Sequence, residues 1–196
     1  MARTASCSRK TGETDIRLHL NLDGKGTYSI ETGIPFFDHM LSLLAKQSFF
    51  DIELTATGDI EVDFHHTVED VGIMLGQGLR EALGNKEGIR RYGTATIPMD
   101  ETLASAAIDI CSRALLVFNV PSQECCHGGG FDLSLTEEFF RAFATNALVT
   151  LHINLHYGKN LHHIIEAIFK AVGRALSQAC SIDPNIEGVL STKGRL

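Results

Sequence analysis

The sequence predicts an α+β protein made by internal duplication of a two-layer unit. Three observations lead there. The stretch Asp63-Phe64-His65-His66-Thr67-Val68-Glu69-Asp70 has a near twin, Asn160-Leu161-His162-His163-Ile164-Ile165-Glu166-Ala167, and the copies lie 97 residues apart in a chain of 196. Both read His-His-x-x-Glu and both run into an apolar pattern of helical period. Around them lie short alternating segments joined by tight turns, which imply one sheet per half with both helices on one face. The expected division is a first repeat over 1–90 and a second over 91–196.

Residues 15–22 alternate apolar and polar as a half-buried strand, with His19 on the polar face. Asp23-Gly24-Lys25-Gly26 reads as a turn and 27–30 as the returning strand, so the chain is expected to open with a hairpin. Glu13 lies just ahead of the strand, and nothing local marks it. Pro35 opens a helix whose apolar face is Phe37, Met40, Leu41 and Leu44. His39, in its first turn, is either a donor or a partly exposed residue without a role, and local pattern alone favours the second. Strands follow at 49–56 and 60–64, then the first motif helix to Gly84. The second half reads as strands at 103–110 and 113–120, a helix at 135–148 with Phe139, Phe140 and Phe143 on its apolar face, a strand at 149–155, and the second motif helix to Cys180. Gly76 and Gly173 coincide when the motif helices are aligned. Glycine inside a helix costs about 1 kcal/mol against alanine, so its recurrence points to close helix packing.

The motif spacing has a chemical meaning. On a helix, positions i and i+4 share a face, whereas neighbours diverge by about 100°. His65 therefore points with Glu69 and His162 with Glu166, while His66 and His163 point elsewhere. Each copy should serve two metal centres, or one metal and one substrate. Imidazole with carboxylate suits Mn, Fe, Zn or Ni better than Ca or Mg. One such motif could be a coincidence at a polar helix start; two in register at half-chain spacing argue against that.

Composition narrows the class. The net charge of −7 with no long Lys/Arg run argues against a nucleic-acid partner. No apolar run is long enough for a bilayer, and residues 1–15 lack the apolar core of a secretory signal, so a soluble cytoplasmic protein is expected. The 5 cysteines are odd in number and form no Cys-x-x-Cys pair, which fits a reducing compartment. Cys125-Cys126-His127 beside three glycines reads as a loop rather than a metal site. The tail Ser191-Thr192-Lys193-Gly194 offers hydroxyls, an ammonium and a pliable backbone, a set suited to phosphate; taken alone, a solvated terminus is the simpler reading.

Taken together, Gly33-Ile34-Pro35-Phe36-Phe37-Asp38-His39-Met40-Leu41, the two His-His-x-x-Glu stretches, Met99-Asp100-Glu101, Gly158-Lys159-Asn160 and Ser191-Thr192-Lys193-Gly194 resemble the imidazoleglycerol-phosphate dehydratase family in its stand-alone form, over nearly the whole chain and in order. The resemblance implies a fold like domain 2 of ribosomal protein S5, duplicated, each half a four-stranded sheet with two helices on one side. It implies a hydro-lyase of histidine biosynthesis that converts imidazole-glycerol phosphate to imidazole-acetol phosphate and water. It further implies two Mn²⁺ ions per active site and a shell of twenty-four subunits built from trimers, with active sites between subunits. By position, the implied metal ligands are His39, His65, His66, Glu69, His162, His163 and Glu166. Glu138 stands where the family has a further His. Arg91, Arg113, Lys159, Ser191 and Lys193 match substrate-binding positions, and Glu13 matches the proton-shuttling carboxylate. The expected chemistry uses a metal-held imidazolate as electron sink and a diazafulvene-like intermediate. Two rival readings use the same His/Glu sets: a metallohydrolase that activates water, and a metal-storage shell without turnover. Structural alternatives exist for Arg113, as a surface ion-pair residue, and Arg91, as a cap of the domain junction.

Overall fold

The computed structural model describes residues 2–121 and 130–196. The Cys125-Cys126-His127 stretch lies outside the described residues. Among the described residues twelve elements follow one another: β1 (Thr4–Lys10), β2 (Thr14–Asn21), β3 (Tyr28–Glu31), α1 (Pro35–Ser48), β4 (Asp51–Gly58), α2 (His65–Leu83), β5 (Tyr92–Met99), β6 (Thr102–Asp109), β7 (Leu115–Asn119), α3 (Leu133–Ala147), β8 (Thr150–Tyr157) and α4 (Leu161–Cys180). The sequence β-β-β-α-β-α thus occurs twice. The sheets are ordered β1-β2-β4-β3 and β5-β6-β8-β7, the same topology in each half.

Four expectations need correction. The first strand is β1, not residues 15–22, and β2 makes its hairpin with β1: Lys10 pairs with Asp15 and Thr4 with Asn21. β3 does not return beside β2; it pairs in parallel with β4, Tyr28 opposite Ile52. Residues 60–64 are not a strand, and Ile60 and Val62 are exposed. In the second half β5 also forms where only a lead-in was expected. β1 and β5 escape a periodicity reading because their buried faces hold Ala5 and Gly93, which carry little apolar signal.

Asp51 explains the path of β3. Its Oδ1 accepts the backbone N–H groups of Lys25 and Thr27 at 2.9 Å each, and the Thr27 hydroxyl, while Oδ2 accepts from Asn21 Nδ2 at 3.2 Å. The crossover after β2 is thereby tied to the start of β4, and the chain emerges on that strand's far side. The Thr27 hydroxyl, followed by the Lys25 amide, holds the Asp51 carboxyl down at about 2.

The helices lie between the two sheets. α1 runs along α4 and α2 along α3, so each half packs its helices on those of the other. A Cβ at Gly76 would stand 2.6 Å from the carbonyl oxygen of Phe143, and one at Gly173 would stand 2.9 Å from that of Leu44. Phe37, Phe139, Phe140 and Phe169 are fully buried where the helices meet, with ring centroids of Phe139 and Phe169 at 5.4 Å. Left-handed residues close both short helices, Phe49 after α1 and Leu148 after α3. Among the described residues no helix is long and apolar enough to cross a membrane.

Two outcomes are expected. Gly76→Ala should lose about 1–3 kcal/mol in urea unfolding, because overpacking against backbone outweighs the ~1 kcal/mol gain in helix propensity. Asp51 has a depressed folded-state pKa, so its contribution is present above the unfolded value near 3.8 and is lost as pH falls toward about 2. The Tm of Asp51→Asn should therefore lie below wild type at neutral pH, and the gap should close on acidification. A gap that persists at pH 2 would exclude the carboxylate as its source.

Candidate metal centre and anion recess

Each motif sits at the start of its helix, and local chemistry places it there. Asn160 caps α4, its side chain accepting the His162 N–H at 2.9 Å. Asp63 Oδ1 does the same for the His65 N–H at 2.8 Å. The two histidines of each motif then diverge: the rings of His65 and His66 are inclined at 84° and those of His162 and His163 at 82°.

Three candidates from different halves converge. His39 on α1 approaches Glu166 Oε2 at 3.7 Å, and His162 approaches the same oxygen at 3.1 Å. One donor atom from each of His39, His162 and Glu166 falls within 4.8 Å of the others, a separation that one ion can span. Glu166 is buried, which by itself would raise its pKa. The hydrogen bond from Lys170 Nζ, at 2.6 Å, together with His162 outweighs burial and leaves the group below its ordinary value. An ionised carboxylate with two imidazoles is a donor set that fits a first-row transition ion.

The partners of the outward histidines come from the β-turn ends. His163 Nδ1 lies 2.6 Å from Glu101 Oε2, and Glu101 Oε1 accepts the N–H groups of Asn160 at 2.8 Å and Lys159 at 3.2 Å. The Asn160 amide, then His163, hold the Glu101 carboxyl at about 2, and Glu101 in turn raises the pKa of His163. In the first half, His66 Nδ1 lies 3.0 Å from Asp59 and its Nε2 3.9 Å from Glu13 Oε1. Asp59 raises the pKa of His66. With Nδ1 engaged in both cases, Nε2 is the nitrogen left to face a ligand. Asp59 was not foreseen. Glu101 has a sequence signal in hindsight: Glu13-Thr14 and Glu101-Thr102 both open the second strand of a half.

The other candidates are placed as follows. His65 lies 3.8 Å from Glu69. Counting back from the two left-handed caps, Glu138 occupies on α3 the position that His39 occupies on α1. Glu138 meets Arg141 at 3.6 Å, and among the described residues it joins no three-donor group. Lys159 is exposed. Arg91, Arg113, Ser191 and Lys193 line one open recess of ≈ 830 Å³, together with Tyr92, Arg195 and the chain's last residue.

That recess and the His163–Glu101 contact lie at opposite ends of the β5–β6 hairpin. Arg91 precedes β5 and Asp109 closes β6, whereas Glu101 sits in the connecting turn. From Tyr92 to Met99 the strand covers about 23 Å, at roughly 3.3 Å per residue.

Fold and donors define the class: a duplicated α+β protein with a candidate metal site between its halves and a separate cationic recess. The family model for imidazoleglycerol-phosphate dehydratase matches residues 32–176. An imidazoleglycerol-phosphate dehydratase of Oceanobacillus iheyensis is 61% identical over 194 residues, 99% of this chain and 100% of its own. One of Pelobacter propionicus is 58% identical over 196 residues, the full length of both. The crystal structure of imidazoleglycerol-phosphate dehydratase from Staphylococcus aureus superposes with a TM-score of 0.83 at 41% identity, covering 92% of this chain and 99% of that one. The structure of IGPD from Pyrococcus furiosus gives 0.84 at 37% identity, covering 97% and 100%. The chain belongs to the imidazoleglycerol-phosphate dehydratase family.

Proposed function

We propose that the protein dehydrates D-erythro-imidazole-glycerol phosphate to imidazole-acetol phosphate and water in histidine biosynthesis, at active sites shared between copies of the chain. The family membership carries the reaction, and the separation of recess and His163 along one hairpin carries the sharing. A substrate with its ring and phosphate joined by a three-carbon arm is too short to reach both in one chain.

The residues divide the work. His39, His162 and Glu166, with His65, His66, Glu69 and His163, would hold two metal ions per site, Mn²⁺ by the resemblance, with Glu138 a further candidate. Mn²⁺ bound there would supply Lewis-acid polarisation of the substrate's imidazole, letting the ring accept electrons. Glu101 and Asp59 keep His163 and His66 in one tautomer. Glu13, exposed beside His66, removes the proton from the carbon next to the one that loses its hydroxyl, and returns it as the enol becomes a ketone. Arg91, Arg113, Ser191 and Lys193 bind the phosphate, Arg with a planar fork and Lys as a point charge. Lys159 lies at the foot of α4, among the donors of the site. Residues 1–90 and 91–196 act as one dehydratase unit, because metal donors come from both. A shell of twenty-four subunits, built from trimers, would close the sites in the cytoplasm.

Purified protein should turn over imidazole-glycerol phosphate only with a transition metal bound, and full activity in metal-free protein would refute the reading. Glu13→Gln should lower kcat by about 100-fold or more at unchanged metal content; near-normal turnover would assign the proton to another group. Co-expressed Glu166→Gln and Lys193→Ala chains, each impaired alone, should recover activity when mixed in one assembly. No recovery would place the whole site in a single chain.

A further inference from the structure

The cationic recess is organised around one acid. Asp109, the last residue of β6, is largely buried, with its side chain 19% exposed. Arg91 grips it with two arms: Nε donates to Oδ1 at 2.7 Å and Nη2 to Oδ2 at 3.2 Å. The third arm, Nη1, donates to the Leu190 carbonyl at 2.9 Å, one residue before Ser191. The guanidinium also lies over the Tyr92 ring, 4.7 Å from its centroid. The backbone of Arg91 is held as firmly. It is left-handed, φ 68, an unusual conformation for a residue with a side chain, and its N–H and C=O bond to Ala179 and Ile110.

Arg113 behaves differently. Its Nη2 is 3.8 Å from Asp109 Oδ2, beyond hydrogen-bond length, and its side chain is 69% exposed. The two arginines thus have separate roles. Arg91 is anchored by three of its five N–H groups, two on Asp109 and one on the tail, whereas Arg113 stands more open to the recess. Lys193 and Arg195 bring the recess to four cations, and Asp109 lies behind two of them, Arg91 and Arg113.

We propose that Asp109 is the positioning residue of the anion subsite: it fixes Arg91 as a strut that carries Leu190, and so sets Ser191 and Lys193 over the recess where Arg113 meets the phosphate. This rests on the dehydratase reading and deepens it. Arg91, which also lines the recess, thereby ties the tail to the anion subsite. Loss of the carboxylate leaves the strut without its anchor and the cations without their counter-charge.

The test compares wild type, Asp109→Asn and Asp109→Glu by kinetics and by limited trypsin digestion, which reads release of the tail at Lys193 and Arg195. Asp109→Asn should raise KM for imidazole-glycerol phosphate, and Ki for inorganic phosphate, by about tenfold or more, as expected for losing charge-assisted hydrogen bonds. Its kcat should change far less, and tail cleavage should be faster. Asp109→Glu, which keeps the charge one methylene away, should fall between the two on both measures. A lower Tm with unchanged KM, Ki and cleavage would overturn the proposal. If Asp109→Asn does not assemble, the Glu variant decides: wild-type KM and cleavage refute the strut. If wild type itself does not dehydrate the substrate, the functional reading fails, and the trypsin comparison still supports or refutes the strut.

Discussion

The structure depends on the close approach of helices from opposite halves. α1 can lie against α4 because Gly173 presents no side chain toward Leu44 and Gln47. α2 can lie against α3 because Gly72 and Gly76 present none toward Phe139 and Phe143. Only at that separation does His39 reach His162 and Glu166, with the two rings 6.0 Å apart at their centroids. The contact that seals the core is therefore also the contact that assembles the candidate metal donors. The phenylalanines of α1, α3 and α4 share one buried cluster at the same place, so neither half can shift without disturbing both.

A second constraint is angular. Adjacent histidines on a helix cannot turn to one ion, and the near-perpendicular rings in both motifs show that geometry directly. The fold supplies a carboxylate for each outward histidine from the sheet beneath it, Asp59 in one half and Glu101 in the other. Glu101 also bonds two backbone amides at the foot of α4, so one acid orients the helix start and the imidazole together. On the proposed reading, the cationic recess at the far end of the same hairpin leaves the single chain chemically incomplete. A second copy of the chain, meeting recess to metal donors, would supply what each lacks.

The helices were legible in the sequence because their apolar periodicity is long and strong, as in Phe37-Met40-Leu41-Leu44 and the two motif helices. The divergence of paired histidines was legible too, since it follows from helix pitch alone. The strands were less so. β1 and β5 bury small residues, β3 has only four residues, and the turn segment at 60–64 alternates without being paired. The repeated order of elements nevertheless survived, because the same strand was missed at the start of each half. Within the site, His39 had no local mark of function; its role depends on α4, more than a hundred residues away. Asp59 and Asp109 were invisible for the same reason, since a carboxylate acquires its meaning from what packs against it.

By itself the sequence determined the duplication, the helical faces, the direction in which each motif histidine points, and the family to which the motifs belong. These are properties of nearest neighbours along the chain, set by helix pitch and residue type. Tertiary structure alone decided that His162 and Glu166 of the second motif meet His39 of the first half. It also sent β3 across β4, placed Glu138 in the position of His39, and put the anion recess far from the metal donors. Those outcomes depend on which distant surfaces bury each other, and the closest burial available to these helices lies across the duplication, not within it.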